Sequence, residues 1–228
     1  MNQSMALIIS CEHAVNTIPK RYQDLFAPYQ KLLESHRGID FGALDIAKYL
    51  KDSFSCDFFH ATTSRLLIDY NRSLHHPHCF SEITKNLSVQ EKQKIISHYY
   101  LPYREQVIAK IDEFHSNKKP VLHLSIHSFT PIMNDQVRNA DIGFLYDPQR
   151  PLEKNLAKKW QLSIKKQDPA YRVRLNYPYR GISDGFTSFL RQRYSAMDYL
   201  GIEIECNQTV TRDDSKINSL KHVLALSL

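Results

Sequence analysis

"IISCEHAVN", residues 8–16, sets an apolar run directly against Cys11, Glu12, His13 and Asn16. Aliphatic runs of this kind make buried strands, and this one is predicted to end where its polar residues begin. Reactive side chains then stand at the mouth of the first strand. The pattern recurs along the chain. Runs read as strands at "CDFFHA" (56–61), "RLLID" (65–69), "VLHLSIH" (121–127), "IGFLY" (142–146), "RVRLN" (172–176) and "YLGIEIE" (199–205). Helical patterns lie between them at 40–54, 88–116 with a break near Pro102, 151–166, 185–195 and 215–227. In the first of these, Ala43, Ile46, Ala47 and Leu50 recur at the spacing of one helix face. Asp40 can cap that helix, and "TRDDS" (211–215) can cap the last one. Strands alternating with helices predict an α/β fold, a three-layer sandwich around a mixed, largely parallel sheet.

The 228 residues suffice for a sizeable core, and no repeat, low-complexity tract or Gly/Pro/Ser-rich linker divides them. Residues 1–228 are therefore expected to form a single domain. Hydrophobic content of 42% and charged content of 24% are those of an ordinary soluble protein. The net charge of +6 comes from scattered Lys and Arg. With no nucleic-acid-binding signature present, it reads as a preference for small anionic ligands. Cys11, Cys56, Cys79 and Cys206 form no CxxC pair, which predicts reduced thiols and a cytoplasmic setting. No run approaches a membrane span, and the first residues lack the basic region of a signal peptide. Neither membrane nor nucleic acid is an expected partner, and the sequence is silent on oligomeric state.

Ligands of open α/β sheets sit beyond the carboxyl ends of the strands, so polar residues following several strands converge on one place. Four strand ends carry such residues. Glu12 and His13 follow the first; His127 and Ser128 follow "VLHLSI"; "RLLID" leads into Asp69, Asn71 and Arg72; and "GIEIECNQ" holds Glu203 and Glu205 ahead of Asn207 and Gln208. Two His and a carboxylate with an open fourth position make a catalytic zinc site, and a further Glu can serve as general base. His123 and His127 lie on one face of their strand but roughly 13 Å apart, too far to share an ion. Each residue also has a structural reading: a turn for His13, a helix cap for Asp40, a core histidine for His127, an exposed strand face for Glu203 and Glu205. Arg65 and Arg72 offer forks that can grip a carboxylate, or can simply pair with Asp69.

Six blocks in order, "SCEHAVNTIP", "GIDFGALDIA", "SRLLIDYNR", "HLSIHSFTP", "NYPYRGISDG" and "GIEIECNQ", resemble the N-formylglutamate amidohydrolase family from about residue 6 to 208. The resemblance implies a fold like that of the zinc carboxypeptidases and a zinc-dependent hydrolase that cuts a C–N amide bond. The type reaction takes N-formyl-L-glutamate to formate and L-glutamate in histidine degradation. Carried over onto this chain, it implies His13 and His127 as metal ligands, with Asp40 or Glu12 as the third. Glu205 is then the general base, with Glu203 its neighbour, and Asn207 and Gln208 orient the pair. Arg72 clamps a substrate carboxylate, with Asn71 and Arg65 beside it. Asn176, Tyr179 and Arg180 belong to a substrate loop whose Gly181 and Gly185 suit a positive φ. The expected cofactor is Zn2+ or another divalent metal, and the expected partner is a small acidic N-acyl amino acid. Alternatives are a zinc amidase for another N-acyl amino acid or a peptidoglycan-type peptide, and a non-catalytic ligand-binding relative.

Overall fold

In the computed structural model, which describes residues 5–228, the opening run is strand β1, Ala6–Cys11. Short helical turns over residues 20–33 lead to α1 (Ala43–Phe54) and β2 (Asp57–His60). A long helical segment follows: α2 (Val89–Ile95), a π-helical turn (Ile96–Tyr100) and α3 (Leu101–Ser116). Then come β3 (Val121–Phe129), the small hairpin β4 (Ile132–Met133) and β5 (Gln136–Val137), and β6 (Ile142–Leu145). The chain closes with α4 (Pro151–Gln167), β7 (Val173–Leu175), α5 (Phe186–Arg193), β8 (Tyr199–Asn207), α6 (Gln208–Thr211) and α7 (Asp214–Ser227).

The six-stranded sheet has the order β2-β1-β3-β8-β6-β7. Its strands pair in parallel except β6 with β8, which are antiparallel, so the sheet is mixed and largely parallel. Alternation sorts its side chains. Ile9, Leu124, Ile126, Ile202 and Ile204 pack on one face against Ala43, Ile46 and Leu50 of α1, Trp160 and Ile164 of α4, and Leu220 and Leu224 of α7. Ile8, Val121 and Tyr199 face the other way, toward Ile95, Tyr103, Val107 and Ile111 of the long helical segment and Phe186 and Leu190 of α5. Helices thus cover both faces, as the alternation of patterns predicts.

Three local expectations are corrected. "RLLID" is a buried irregular segment rather than a strand. Leu66, Leu67 and Ile68 fill the core, but side chains satisfy its backbone: Ser81 donates to Leu66 O and Thr84 to Leu67 O. With these donors in place the run needs no strand partner. Asp40 does not cap α1; the N-cap is Gly42, at φ +77°, while Asp213 caps α7 as predicted. At Pro102 the helix does not break but continues out of the π turn, because a proline in the first turn of α3 loses no needed donor.

Candidate metal and active site

The polar residues of three neighbouring strands fall on the same sheet face because they share one parity. In register, Ser10 of β1 stands beside Ser125 of β3, which stands beside Glu203 of β8; one step further His127 stands beside Glu205. β8 is an interior strand, so Glu203 and Glu205 face a buried site instead of solvent. His13 follows the end of β1, and its carbonyl accepts the Asp40 N–H at 3.1 Å, which ties the approach to α1 to the mouth of β1.

The result is a buried cluster. Asp40 Oδ2 lies 3.2 Å from His13 Nδ1 and 3.0 Å from His127 Nδ1. One ligand atom from each of the three residues lies within 4.8 Å of the others. Each imidazole turns its other nitrogen to a second carboxylate: His13 Nε2 to Asp69 Oδ1 at 2.8 Å, and His127 Nε2 to Glu12 Oε2 at 3.2 Å. Burial alone would push the Asp40 carboxyl up, but the charge and hydrogen bonds of the two histidines, with Arg65, hold it well below the usual carboxylate range. Asp69 is likewise held low against its burial, chiefly by Arg65 and His13. Two imidazole nitrogens and one carboxylate oxygen, converging from one side and open toward a cleft, are a donor set that fits a divalent ion of zinc's character.

That cleft encloses about 450 Å³ and is lined by His13, Asp40 and His127 together with Glu203, Glu205, Asn71, Arg72, Arg65, Tyr179 and Arg180. Glu205 is almost wholly buried, and its Oε2 has no hydrogen-bond partner among the described residues. Burial, opposed by His127 but reinforced by Asp40 and Glu203, pushes its carboxyl up to about 7. Glu203 is steadied by a hydrogen bond from the Thr187 hydroxyl. Arg72 makes no ion pair among the described residues; it donates to Asp184 O at 2.6 Å, and its own carbonyl is held by Tyr100 and Arg104. Arg65 is already bound to Asp40 and Asp69. Tyr179 accepts from Arg138 at 3.1 Å, and Arg180 is exposed at the rim, its side chain making no hydrogen bond or ion pair among the described residues.

Other expected residues sit elsewhere. Glu12 is outside the cluster: its carboxylate is fully buried behind His127, where Tyr103 and Ser125 donate to it. Strand β1 ends at Cys11 and Glu12 and His13 lie in the turn after it, where Glu12 keeps the inward direction of Ser10 and His13 turns toward Asp40 and Asp69. Asn176 lies outside the cleft lining; at φ +50° its Oδ1 accepts from Tyr146 N and Gly181 N and shapes the loop. Neither Gly181 nor Gly185 has positive φ. Gly181 is needed for space, since a Cβ there would meet the Tyr146 backbone at 2.2 Å. Asn207 caps α6 and donates to Ala140 O, and Gln208 donates to Ser128, so neither orients the glutamates. His123 is a core histidine between Tyr199 and Ser10, as its distance from His127 implies. Sequence reading named Asp69 only as a polar strand end and a partner for the arginines, and it missed Ser125 and Tyr103 as site residues; Ser125 carried a signal, the same-face parity with His127.

Fold and cluster together define an α/β protein whose strand ends build a buried His–Asp–His site. The chain belongs to the N-formylglutamate amidohydrolase family, whose sequence profile matches residues 5–211. No curated protein is significantly similar to it in sequence. Among solved structures it is similar to a gene product of Agrobacterium tumefaciens, with 26% identity and a TM-score of 0.85 over 99% of this chain and 89% of that one. It also shares its fold with the N-formylglutamate amidohydrolase of Ralstonia eutropha JMP134, with 18% identity and a TM-score of 0.74 over 99% of this chain and 92% of that one.

Proposed function

We propose that this chain is a metal-dependent hydrolase that cleaves the C–N amide bond of an N-formyl or N-acyl amino acid, with N-formyl-L-glutamate as its first substrate. The observation that supports this most is the shared cleft: the His13–Asp40–His127 cluster and Glu205, whose Oε2 has no hydrogen-bond partner among the described residues, line one space. Family membership supports the amidohydrolase chemistry.

His13, Asp40 and His127 would hold the ion. When bound, a divalent ion such as zinc polarises the amide carbonyl and lowers the pKa of a water toward about 7. Glu205 Oε2, without a hydrogen-bond partner among the described residues and with its proton affinity near neutrality, takes a proton from the attacking water and returns it to the leaving amine. Arg72 grips a carboxylate of the substrate, which fixes the amide over the cluster. Arg65 is neutralised by two aspartates, so Arg180 is the cation available to a developing oxyanion. One domain carries the whole site in this reading, and a cytoplasmic place in histidine breakdown goes with the formyl substrate.

The test is formate release from N-formyl-L-glutamate by chelated and zinc-replete protein side by side. Release that vanishes with chelator and returns with zinc is the expected result. A metal-loaded protein that releases no formate removes the formyl substrate and sends the search to other N-acyl amino acids.

A further inference from the structure

Glu12 is a carboxylate with no exposure to solvent, set behind a histidine of the cluster, and no Lys or Arg pairs with it among the described residues. A buried carboxylate this isolated is costly unless donors surround it. Three do. Tyr103 OH donates to Oε1 at 2.9 Å, Ser125 Oγ donates to Oε2 at 2.6 Å, and His127 Nε2 lies 3.2 Å from Oε2.

Proton counting then sets what Nε2 of His127 carries. A serine hydroxyl has one proton, and Ser125 gives it to Glu12. Toward His127 Nε2, 2.9 Å away, Ser125 can therefore only accept. Both Glu12 oxygens are acceptors here, Oε1 from Tyr103 and Oε2 from Ser125. Nε2 therefore carries a proton, and Nδ1, 3.0 Å from Asp40 Oδ2, is the nitrogen that an ion in the cluster would take; the Asn71 amide nitrogen, at 3.5 Å, is the longest contact of Nε2. Tyr103 reaches Glu12 from the first turn of α3, directly after the π turn. Such single-turn irregularities frequently sit at functional sites.

We propose that Glu12 is a positioning residue: with Tyr103 and Ser125 it locks His127 as a ligand through Nδ1 and raises the basicity of that nitrogen. The proposal rests on the reading of His13–Asp40–His127 as a metal site. Carboxylates in this role tune metal affinity by 10–100-fold.

Zinc affinity is measured by competition with a chromogenic chelator for wild-type protein, Glu12→Gln, Tyr103→Phe and Ser125→Ala. Tyr199→Phe serves as the comparison, because it removes a buried tyrosine hydroxyl from His123 on the same face without touching His127. The expected result is a 10–100-fold loss for Glu12→Gln. Tyr103→Phe and Ser125→Ala should lose less in the same direction, and Tyr199→Phe should keep wild-type affinity. In the zinc-loaded wild type, nitrogen NMR should find His127 protonated at Nε2. If Glu12→Gln does not fold, the Tyr103 and Ser125 variants carry the test. Variants that bind zinc as tightly as a zinc-binding wild type overturn this inference alone. A wild type that takes up no zinc overturns it together with the metal-site reading.

Discussion

Glu205 is where residue chemistry and stability pull against each other. Its carboxyl is raised from 4.5 to about 7, so the folded protein holds a proton there that the unfolded chain has lost. The stability linked to that group is fully present below about pH 4.5 and is lost as pH rises through about 7. Metal-stripped wild type should therefore weaken relative to Glu205→Gln across this window, by up to about 3 kcal/mol at pH 8, since each tenfold change in proton affinity is worth about 1.36 kcal/mol. Urea unfolding at pH 5 and pH 8 reads the difference, and a gap that does not widen with pH would contradict burial as the origin of the raised value. The same variant should keep its zinc and lose turnover by roughly 10²–10⁴-fold. Arg72→Ala should raise KM at least about tenfold with zinc content unchanged, since one charge-assisted contact is worth about 1.5–3 kcal/mol. Parallel loss of zinc would make that arginine structural.

At the scale of elements, the entrance to α1 carries the third residue of the cluster. Gly42 at φ +77° turns the chain from Asp40 into the helix, and a Cβ there would meet Thr211 Cβ and Thr211 O at 2.6 Å. Gly42→Ala should destabilise the protein by about 2 kcal/mol or more through left-handed strain and overpacking, and should weaken zinc binding as Asp40 shifts. Chemical denaturation and chelator competition measure the two effects. At the opposite face, the π turn sends Tyr100 to Arg72 O and Tyr103 to Glu12, while Arg104 packs over Phe186 and donates to Tyr70 O. One irregular turn thus holds both the loop that carries Arg72 and the carboxylate behind His127. Apolar spacing marked the helix at 88–116 but not this turn, because the turn is an offset in backbone pairing that side-chain type barely records.

At the scale of the molecule, the sheet brings together residues far apart in the chain, and bound metal should couple them to folding. Zinc at one hundred times its dissociation constant should add about 2.7 kcal/mol of stability, lost on chelation; thermal unfolding with and without metal checks it. An unchanged Tm in a protein that binds zinc would mean the cluster binds the ion equally well unfolded. Much of this architecture was determined by sequence alone. Apolar runs and 3.6-residue spacing depend on local chemistry, so the strands read at 6–10, 121–127 and 199–205, each one or two residues short of its observed end, and the helix faces were legible, as were His13, His127 and Glu205 as polar ends of buried strands. Tertiary structure decided the rest. Strand order made β8 an interior strand and turned Glu203 and Glu205 into a buried site, and it put "RLLID" where side-chain donors replaced a strand partner. It also separated Asp40, which reaches both histidines, from Glu12, which stands behind one of them. The physical reason is that pattern along a chain specifies which face a residue takes, whereas the distance between two carboxylates and one imidazole depends on packing among segments dozens of residues apart.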